Sequence, residues 1–338
     1  MADLSTNYMG ISLTNPIIAG ASSLSLKADN LKKLEEAGAS AIVFKSLFEE
    51  QIQLENYEMN RIIEGFNERN AEMLSIFPHM PDSGPQQHLI ALEKAVKSVS
   101  IPIFASLNAV NPETWIEWSY QLAQIGVAGL ELNFYYLPKF DHVTEVEFLE
   151  QMVQTITKIK SRVNIPIAIK LSPYYFNLLG ILKSLEEAGA DGFVLFNRFF
   201  QPDIDIQDEK HTTPFNLSHS GDYRLALRYT GLIYGRTKAG ICASQGIYKG
   251  EEIIKLILAG ADCVQVVSAL YKKGIDHIST MISEIEQWME SKNYSTISEF
   301  KGKLSEKNTK NPFIYRRAQY IDFLMKAHSL TWEEYPTI

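Results

Sequence analysis

Cysteine is scarce in this chain, and so is positive charge. Cys242 and Cys263 are the only cysteines in 338 residues, too few for a disulfide framework and without the spacing of metal ligands. Asp and Glu outnumber Lys and Arg by 40 to 32, which argues against a nucleic-acid partner because such partners are bound mainly through Lys and Arg. The composition predicts an acidic protein of the cytoplasm with no metal site.

Long apolar runs are also missing. The N-terminal stretch MADLSTNYMGISLTNP contains neither a basic segment followed by an apolar core nor a run of about 20 apolar residues. We therefore expect no membrane association. Hydrophobic residues still make up 46% of the chain, enough for one large α/β barrel or for two smaller domains.

One pattern, a helix that ends in Ala-Gly-Ala or a close variant and is followed by a short apolar strand, occurs four times. In each copy the helix has an apolar stripe, the glycine provides a left-handed cap, and the strand is apolar on both faces, as parallel strands are. The copies are LKKLEEAGASAIVFKS (31–46), YQLAQIGVAGLELN (120–133), LKSLEEAGADGFVLFN (182–197) and IKLILAGADCVQVVS (254–268).

Four further strands lie between these copies: NPIIAGASS, IPIFASLN, IPIAIKLS and AGICASQG. Helices are predicted at 28–37, 86–98, 112–125, 145–161, 175–188, 222–235, 250–259 and 275–291. Alternation of eight strands with eight helices predicts an α/β fold, a closed (β/α)8 TIM barrel. A doubly wound open sheet is the alternative, because periodicity does not show closure.

The predicted barrel spans residues 1–297, and residues 298–338 form a C-terminal helical tail that packs on the barrel or at a subunit interface. Two connections, 47–85 and 198–221, are much longer than the usual two to six residues. Both follow strand carboxyl ends, where a TIM barrel carries its active site. We therefore interpret them as long active-site loops.

Polar side chains and small residues end the predicted strands. If the barrel closes, these residues meet in one pocket. They include no cluster of His, Asp or Glu, which disfavours metal-assisted hydrolysis and carboxylate-pair chemistry. The set comprises Ala19, Gly20, Ser22, Ser23, Lys45, Ser46, Ser106, Asn108, Asn133, Lys170, Ser172, Asn197, Ser244, Gln245, Gly246 and Ser268.

Two lysines, several amides and a glycine-containing turn suit a planar heterocycle that carries a phosphate, such as a flavin. Backbone N–H groups of ASQGIYKG and VVSALYKKG would bind the phosphate at helix N-termini. A lysine would stabilise a reduced, anionic ring, and Asn side chains would match its donors and acceptors. The alternative is structural: Lys170 as a rim lysine that extends toward solvent, and Asn133 and Asn197 as ties between loops and backbone.

Several motifs together resemble the dihydroorotate dehydrogenase family of FMN-dependent barrels: TNPIIAGASS, FKS, ELN, IPIAIKLSPY and ASQGIYKGEEIIKLILAGADCVQVVSALYKKG. The resemblance implies oxidation of dihydroorotate to orotate, a step of pyrimidine biosynthesis, with FMN as cofactor, a small dihydropyrimidine-like substrate and a homodimer. It implies FMN contacts at Ala19, Gly20, Lys45, Ser46, Asn133, Lys170, Ser244, Gln245, Gly246 and Ser268, and substrate contacts at Asn108, Asn197 and Arg198.

The chain departs from the family pattern after Asn133, where the family has Leu-Ser, a catalytic Cys or Ser, and Pro-Asn. Here Tyr136 stands where the base is expected and Pro138 where a substrate-binding Asn is expected. The family's Gly-Gly turn is Gln245–Gly246, and Arg198 replaces a small hydroxyl residue. The sequence therefore leaves open whether the substrate is dihydroorotate or an altered one.

We take Tyr136, helped by Lys45, as the candidate catalytic pair. Ionising a tyrosine of ordinary pKa, about 10, at neutral pH costs roughly 4 kcal/mol, and Lys45 or Arg198 could lower that pKa as a nearby cation. The alternative for Tyr136 is an aromatic wall beside the flavin.

Three functions follow. The first is an oxidoreductase acting on CH–CH groups, the second is a flavin-binding barrel without turnover that acts as an electron relay or partner subunit, and the third is an isomerase or aldolase that uses Lys170 as a Schiff base.

Overall fold

A computed structural model of the chain describes residues 2–53, 84–135, 144–199, 201–212, 217–315 and 321. The strands are β1 Thr6–Tyr8, β2 Ile11–Leu13, β3 Ile17–Ala19, β4 Ala41–Val43, β5 Leu47–Phe48, β6 Ile103–Asn108, β7 Gly129–Asn133, β8 Ile167–Leu171, β9 Gly192–Leu195, β10 Asp203–Asp205, β11 Lys210–Thr212, β12 Gly240–Ser244 and β13 Cys263–Val266. The helices are α1 Ala28–Glu36, α2 Pro85–Ser98, α3 Pro112–Gln124, α4 Glu145–Lys160, α5 Leu178–Glu187, α6 Tyr223–Ile233, α7 Gly250–Ala259, α8 Ser268–Lys273 and α9 His277–Lys292.

Eight parallel strands form a closed barrel. Their order around the barrel is β4-β3-β13-β12-β9-β8-β7-β6, and β4 pairs with β6 to complete the ring, with Ile42 opposite Ile103. The two-residue strand β5 adds to β6. The predicted (β/α)8 barrel is confirmed, and the alternative of an open sheet is excluded.

The repeated Ala-Gly-Ala pattern acts as predicted. Gly38, Gly126, Gly189 and Gly260 all have positive φ, between +88° and +124°, which glycine adopts without steric cost. Each one ends a helix and turns the chain into a barrel strand. Helix α5 begins three residues later than the predicted 175–188, because the Asn177 side chain caps it by accepting a hydrogen bond from the Gly180 N–H.

The amino-terminal end of the barrel lumen is filled by the β1–β2 hairpin. Tyr8 and Met9 are buried there and belong to the same apolar cluster as Phe104. Gly192 and Gly240 make room for them: a Cβ on Gly192 would lie 2.7 Å from the Met9 Cγ, and one on Gly240 would lie 2.7 Å from the Tyr8 ring. The lumen is therefore packed with apolar side chains toward the amino-terminal ends of the strands and is polar toward their carboxyl ends.

The segment after α9 crosses the outside of the barrel along α6 and α7. Backbone hydrogen bonds tie Gly302 to Ile257 and Leu304 to Leu258, each at 2.8 Å. Asp3, near the start of the chain, donates from its N–H to the Ser295 carbonyl at 2.8 Å. The division into a barrel to residue 297 and a separate tail from 298 stays a prediction.

Candidate active site

The carboxyl ends of the barrel strands bring most of the predicted site residues to one mouth. Strand register places Asn133 beside Lys170 and Ser244 beside Gln265. The Ser46 and Ser106 hydroxyls are 2.7 Å apart. The residues buried at or below this mouth are Ala19, Gly20, Ser46, Ser106, Asn108, Asn133, Lys170, Ser172, Ser244 and Gly246. Lys45, Asn197, Arg198, Gln245 and Ser268 are partly exposed there, and Ser23 lies on the surface.

Two amides meet at this mouth. The Asn197 Nδ2 donates to the Asn133 Oδ1 at 2.8 Å, although 64 residues separate them in sequence. This bond leaves the Asn133 amide nitrogen and the Asn197 amide oxygen to be paired elsewhere. One donor and one acceptor side by side match the edge of a heterocyclic amide.

Lys170 belongs to a network that crosses the lumen. Its Nζ lies 3.2 Å from the Glu131 Oε1 and 3.0 Å from the Gln265 Oε1, and the Gln265 amide also donates to Glu131. Sequence reasoning missed Glu131 and Gln265. The available signal was one polar residue inside an otherwise apolar strand, since a buried polar group requires a partner. The Glu131 carboxylate therefore offsets part of the positive charge that Lys170 brings to the lumen, and its role toward a flavin stays a prediction.

Gln245 stands where the resemblance implies a glycine, and its backbone conformation favours glycine. Its φ is +79°, a left-handed value that costs an ordinary residue about 1–2 kcal/mol. The side chain compensates, because its Nε2 donates to the Phe196 carbonyl at 3.1 Å and to the Asn197 carbonyl at 2.7 Å. Gln245 thereby fixes the backbone that carries Asn197.

Gln245→Gly is expected to lower the free energy of unfolding by about 1 kcal/mol. The loss of two hydrogen bonds, at about 1 kcal/mol each, outweighs the relief of the left-handed conformation. Urea denaturation measures the change. Gln245→Asn, whose shorter side chain does not span the same distance, should lose stability in the same direction. A Gln245→Gly protein more stable than wild type would contradict this account.

A cluster of serine hydroxyls joins three loops at the far side of the mouth. Ser218 donates from its hydroxyl to the Ser268 Oγ at 2.8 Å and accepts from the Gly246 N–H at 3.1 Å. The N–H groups of Tyr248 and Lys249 both donate to Glu252. Because these two N–H groups already donate to the Glu252 carboxylate, the remaining candidate donors for the phosphate lie in the Gln245–Ile247 bend and at the start of α8.

The two cations predicted near the base have different surroundings. The Arg198 Nη1 forms a 2.6 Å ion pair with Asp222, which also accepts from the His219 N–H. The Lys45 N–H is held by the Ser25 hydroxyl at 2.8 Å. His88 lies nearby, and burial together with the Lys45 charge lowers the pKa of its imidazole to about 4. Arg198 is thus already balanced by a carboxylate.

Aromatic side chains line the rim next to the amide pair. The Tyr135 ring meets the Phe199 ring edge-on at 4.6 Å, and Tyr174 lies 5.2 Å from Phe199. Tyr174 and Phe176 are strongly exposed. The candidate base Tyr136, with Pro138, lies outside the described residues.

A second cavity, of about 760 Å³, lies at the opposite end of the barrel. Its carboxylates hold the fold together: Asp191 pairs with Lys160 at 2.8 Å and accepts from the Ile167 N–H. Asp262 pairs with Lys301 and accepts from the Ile241 N–H. These paired groups are structural, so the mouth at the carboxyl ends remains the candidate site.

Within the part of the chain that the structure describes, no helix has the length and apolar character needed to span a membrane.

Comparison with known proteins extends over most of the chain. A family model described as dihydroorotate dehydrogenase matches residues 3–289. The catalytic subunit of dihydroorotate dehydrogenase B (NAD(+)) from Thermoplasma volcanium is 30% identical over 311 residues, covering 89% of this chain and 98% of the relative. The subunit of that name from Methanocaldococcus jannaschii is 25% identical, covering 90% and 98%. A putative dihydroorotate dehydrogenase A (fumarate) from Aeropyrum pernix is 26% identical, covering 62% and 70%.

The family match spans the barrel from its first strand to its last helix, and it includes every strand end that contributes to the mouth. With the closed eight-stranded ring, it leads to one assignment. The chain belongs to the dihydroorotate dehydrogenase family of oxidoreductases.

Proposed function

We propose that the protein uses FMN to oxidise a CH–CH bond of a dihydropyrimidine-like ring, with dihydroorotate as the first candidate substrate and pyrimidine biosynthesis as its setting. The observation that carries the proposal is the 2.8 Å bond between Asn133 and Asn197 at the mouth of the family barrel. The two amides are placed to hold the amide edges of planar rings, Asn133 that of the flavin and Asn197 that of the substrate. Asn108, the other proposed substrate contact with an amide, is buried at the same mouth.

The chain's own groups fit an FMN. Gly20 must be glycine because the space that a Cβ would take is filled by Val267, whose Cγ2 would lie 2.7 Å away, and Gly20 directly follows β3 at the mouth. The Ser268 hydroxyl, whose Oγ accepts from Ser218, and the Gln245 and Ile247 N–H groups are donors suited to a phosphate, whereas the Gly246 N–H already donates to the Ser218 Oγ. FMN, when bound, would accept the hydride that the substrate loses.

The remaining proposed FMN contacts follow the strand ends: Ala19, Lys45, Ser46, Asn133, Lys170, Ser244, Gln245 and Gly246. Arg198 contributes to substrate binding through its backbone position more than through its charge, because Asp222 already pairs with the guanidinium. Lys45 is then the cation proposed to assist the base.

Tyr136→Phe is expected to slow substrate oxidation at least 100-fold with FMN content unchanged, because the proposed base takes a proton from the substrate carbon and a phenyl ring takes none. Stopped-flow reduction of the flavin measures the rate. Tyr135→Phe, the neighbouring substitution of the same kind, should keep the ring contact with Phe199 and most of the rate. Full activity of Tyr136→Phe would leave Tyr136 as an aromatic wall only.

The function itself is tested on the purified protein in two steps. Absorbance near 450 nm and the supernatant of denatured protein report FMN, and anaerobic mixing with dihydroorotate and a panel of dihydropyrimidines reports its reduction. Bleaching by one of them supports the proposal. A colourless protein that fails to take up FMN would overturn it, and a yellow protein that none of the panel bleaches would favour a binding or electron-relay role.

A Schiff-base function for Lys170 is disfavoured. A lysine that attacks a carbonyl must be a neutral amine, whereas the Lys170 Nζ is paired with the buried Glu131 carboxylate at 3.2 Å. Borohydride trapping should therefore give no adduct at Lys170.

We further propose a cytoplasmic homodimer. Cys242 and Cys263 are free thiols on adjacent strands, as expected in a reducing compartment. Two-fold dimers are the commonest homo-oligomers, and the β10–β11 hairpin exposes Ile204 and Ile206. Light scattering during size-exclusion chromatography measures the oligomeric state.

A further inference from the structure

We propose that Glu131 is a positioning residue for the flavin chemistry: through Gln265 and directly, it fixes the Lys170 ammonium in the lumen and offsets its charge. This inference rests on the proposed function, since it concerns how strongly the site favours reduced FMN. Neither Glu131 nor Gln265 was among the predicted site residues.

The geometry leaves Lys170 little freedom. Glu131 is on β7, Lys170 on the neighbouring strand β8, and Gln265 on β13 across the lumen. Gln265 contacts both charged partners, accepting from Lys170 at 3.0 Å and donating to Glu131. The exposed fractions of Glu131, Lys170 and Gln265 are 2%, 9% and 3%. The contacts with Glu131 and Gln265, together with this burial, hold the Lys170 ammonium in one position.

The burial makes the two charges depend on each other. A buried carboxylate without a cation is strongly unfavourable, and so is a buried ammonium without an anion. Strand register also places Asn133, at the mouth, directly beside Lys170. A flavin held by Asn133 therefore experiences both charges of the pair, and the carboxylate offsets part of the stabilisation that the ammonium gives to a reduced, anionic ring.

This balance predicts that removing Glu131 and removing Lys170 shift the midpoint potential of bound FMN in opposite directions. Glu131→Gln removes the anion and leaves the cation, so it should favour reduced FMN about tenfold, a rise of about 30 mV in the midpoint potential of the two-electron couple. Lys170→Met removes the cation and should lower the midpoint potential by about 30 mV, a tenfold change in the opposite direction. The double variant Glu131→Gln/Lys170→Met has neither charge and keeps an amide pair with Gln265. Its midpoint potential should therefore return to within about 15 mV of wild type, a threefold difference in the redox equilibrium constant.

The measurement is an anaerobic dye-equilibration titration of the FMN-loaded proteins, which does not require turnover. Glu186→Gln is the matched control: it removes the same charge at the other end of the barrel, where Glu186 accepts from the Lys238 N–H, and should leave the potential unchanged. A merely structural role for Glu131 would give no restoration in the double variant.

Three outcomes decide the matter. Opposite shifts that cancel in the double variant support the inference. An unchanged potential in Glu131→Gln, or a fall like that of Lys170→Met, overturns it while FMN binding by the wild-type protein keeps the proposed function. Absence of FMN from the wild-type protein overturns both. If Lys170→Met does not fold, the isosteric Glu131→Gln alone still decides the sign.

Discussion

Lys170→Met is expected to lower the free energy of unfolding of the FMN-free protein by about 3–5 kcal/mol, the usual cost of removing one partner from a buried ion pair. The side chain of Glu131 is only 3% exposed, so water does not replace the lost ammonium. Methionine has similar length and no charge, which makes the loss electrostatic more than one of packing. Urea denaturation followed by circular dichroism measures it.

Two comparisons identify the cause. Glu131→Gln/Lys170→Met should recover most of the lost stability, because replacing both charges of a buried pair is often neutral. Lys160→Met breaks the Lys160–Asp191 pair, whose side chains are 28% and 36% exposed, and should cost about 0–1 kcal/mol. A double variant no more stable than Lys170→Met would show that packing around the lysine, and not the unpaired carboxylate, dominates.

Gly246→Ala is expected to cost about 3 kcal/mol of folding free energy and to weaken FMN binding more than tenfold. The φ of Gly246 is +65°, and a Cβ there would lie 2.6 Å from the His219 carbonyl oxygen and 2.7 Å from the Tyr223 nitrogen. A left-handed alanine costs about 1–2 kcal/mol, and displacement of a packed backbone adds about 1–3 kcal/mol. The displaced loop also carries Ser218, which contacts the proposed phosphate donor Ser268.

Gly221→Ala separates the cost of a positive φ from the cost of steric contact. Gly221 also has a positive φ, +103°, but a Cβ there meets nothing within 4 Å. It should lose only about 1 kcal/mol and bind FMN as the wild type does. Denaturation and fluorescence titration with FMN give the two numbers. Equal losses in the two alanine variants would mean that steric contact at Gly246 plays no part.

The architecture was predictable because it depends on local signals repeated along the chain. The glycines at 38, 126, 189 and 260 end helices with positive φ, and the apolar strands that follow them have no stable alternative to a parallel sheet covered by helices. Closure was not visible in this way. It depends on the pairing of the first barrel strand with the last, Ile17 of β3 with Val264 of β13, a contact between strands far apart in sequence.

The site was predictable where a residue ends a strand, as with Asn133 and Lys170, and unpredictable where partners come from across the lumen. Glu131 stands between Leu130 and Leu132, so hydrophobicity alone assigns its strand to the core and ignores its charge. The bond between Gln245 and the backbone at Phe196 has no sequence signal either. A polar residue in an apolar strand indicates that a partner is needed, but which partner it pairs with is specified by three-dimensional packing.

Tyr8 and Met9 close the bottom of the lumen, and this plug has a kinetic consequence. Because the other end is closed among the described residues, we expect the molecule to be oxidised and the final oxidant to use the mouth at the carboxyl ends in succession, each leaving before the other enters. We expect this order of binding to give a double-displacement rate law, whose reciprocal plots at several oxidant concentrations are parallel lines.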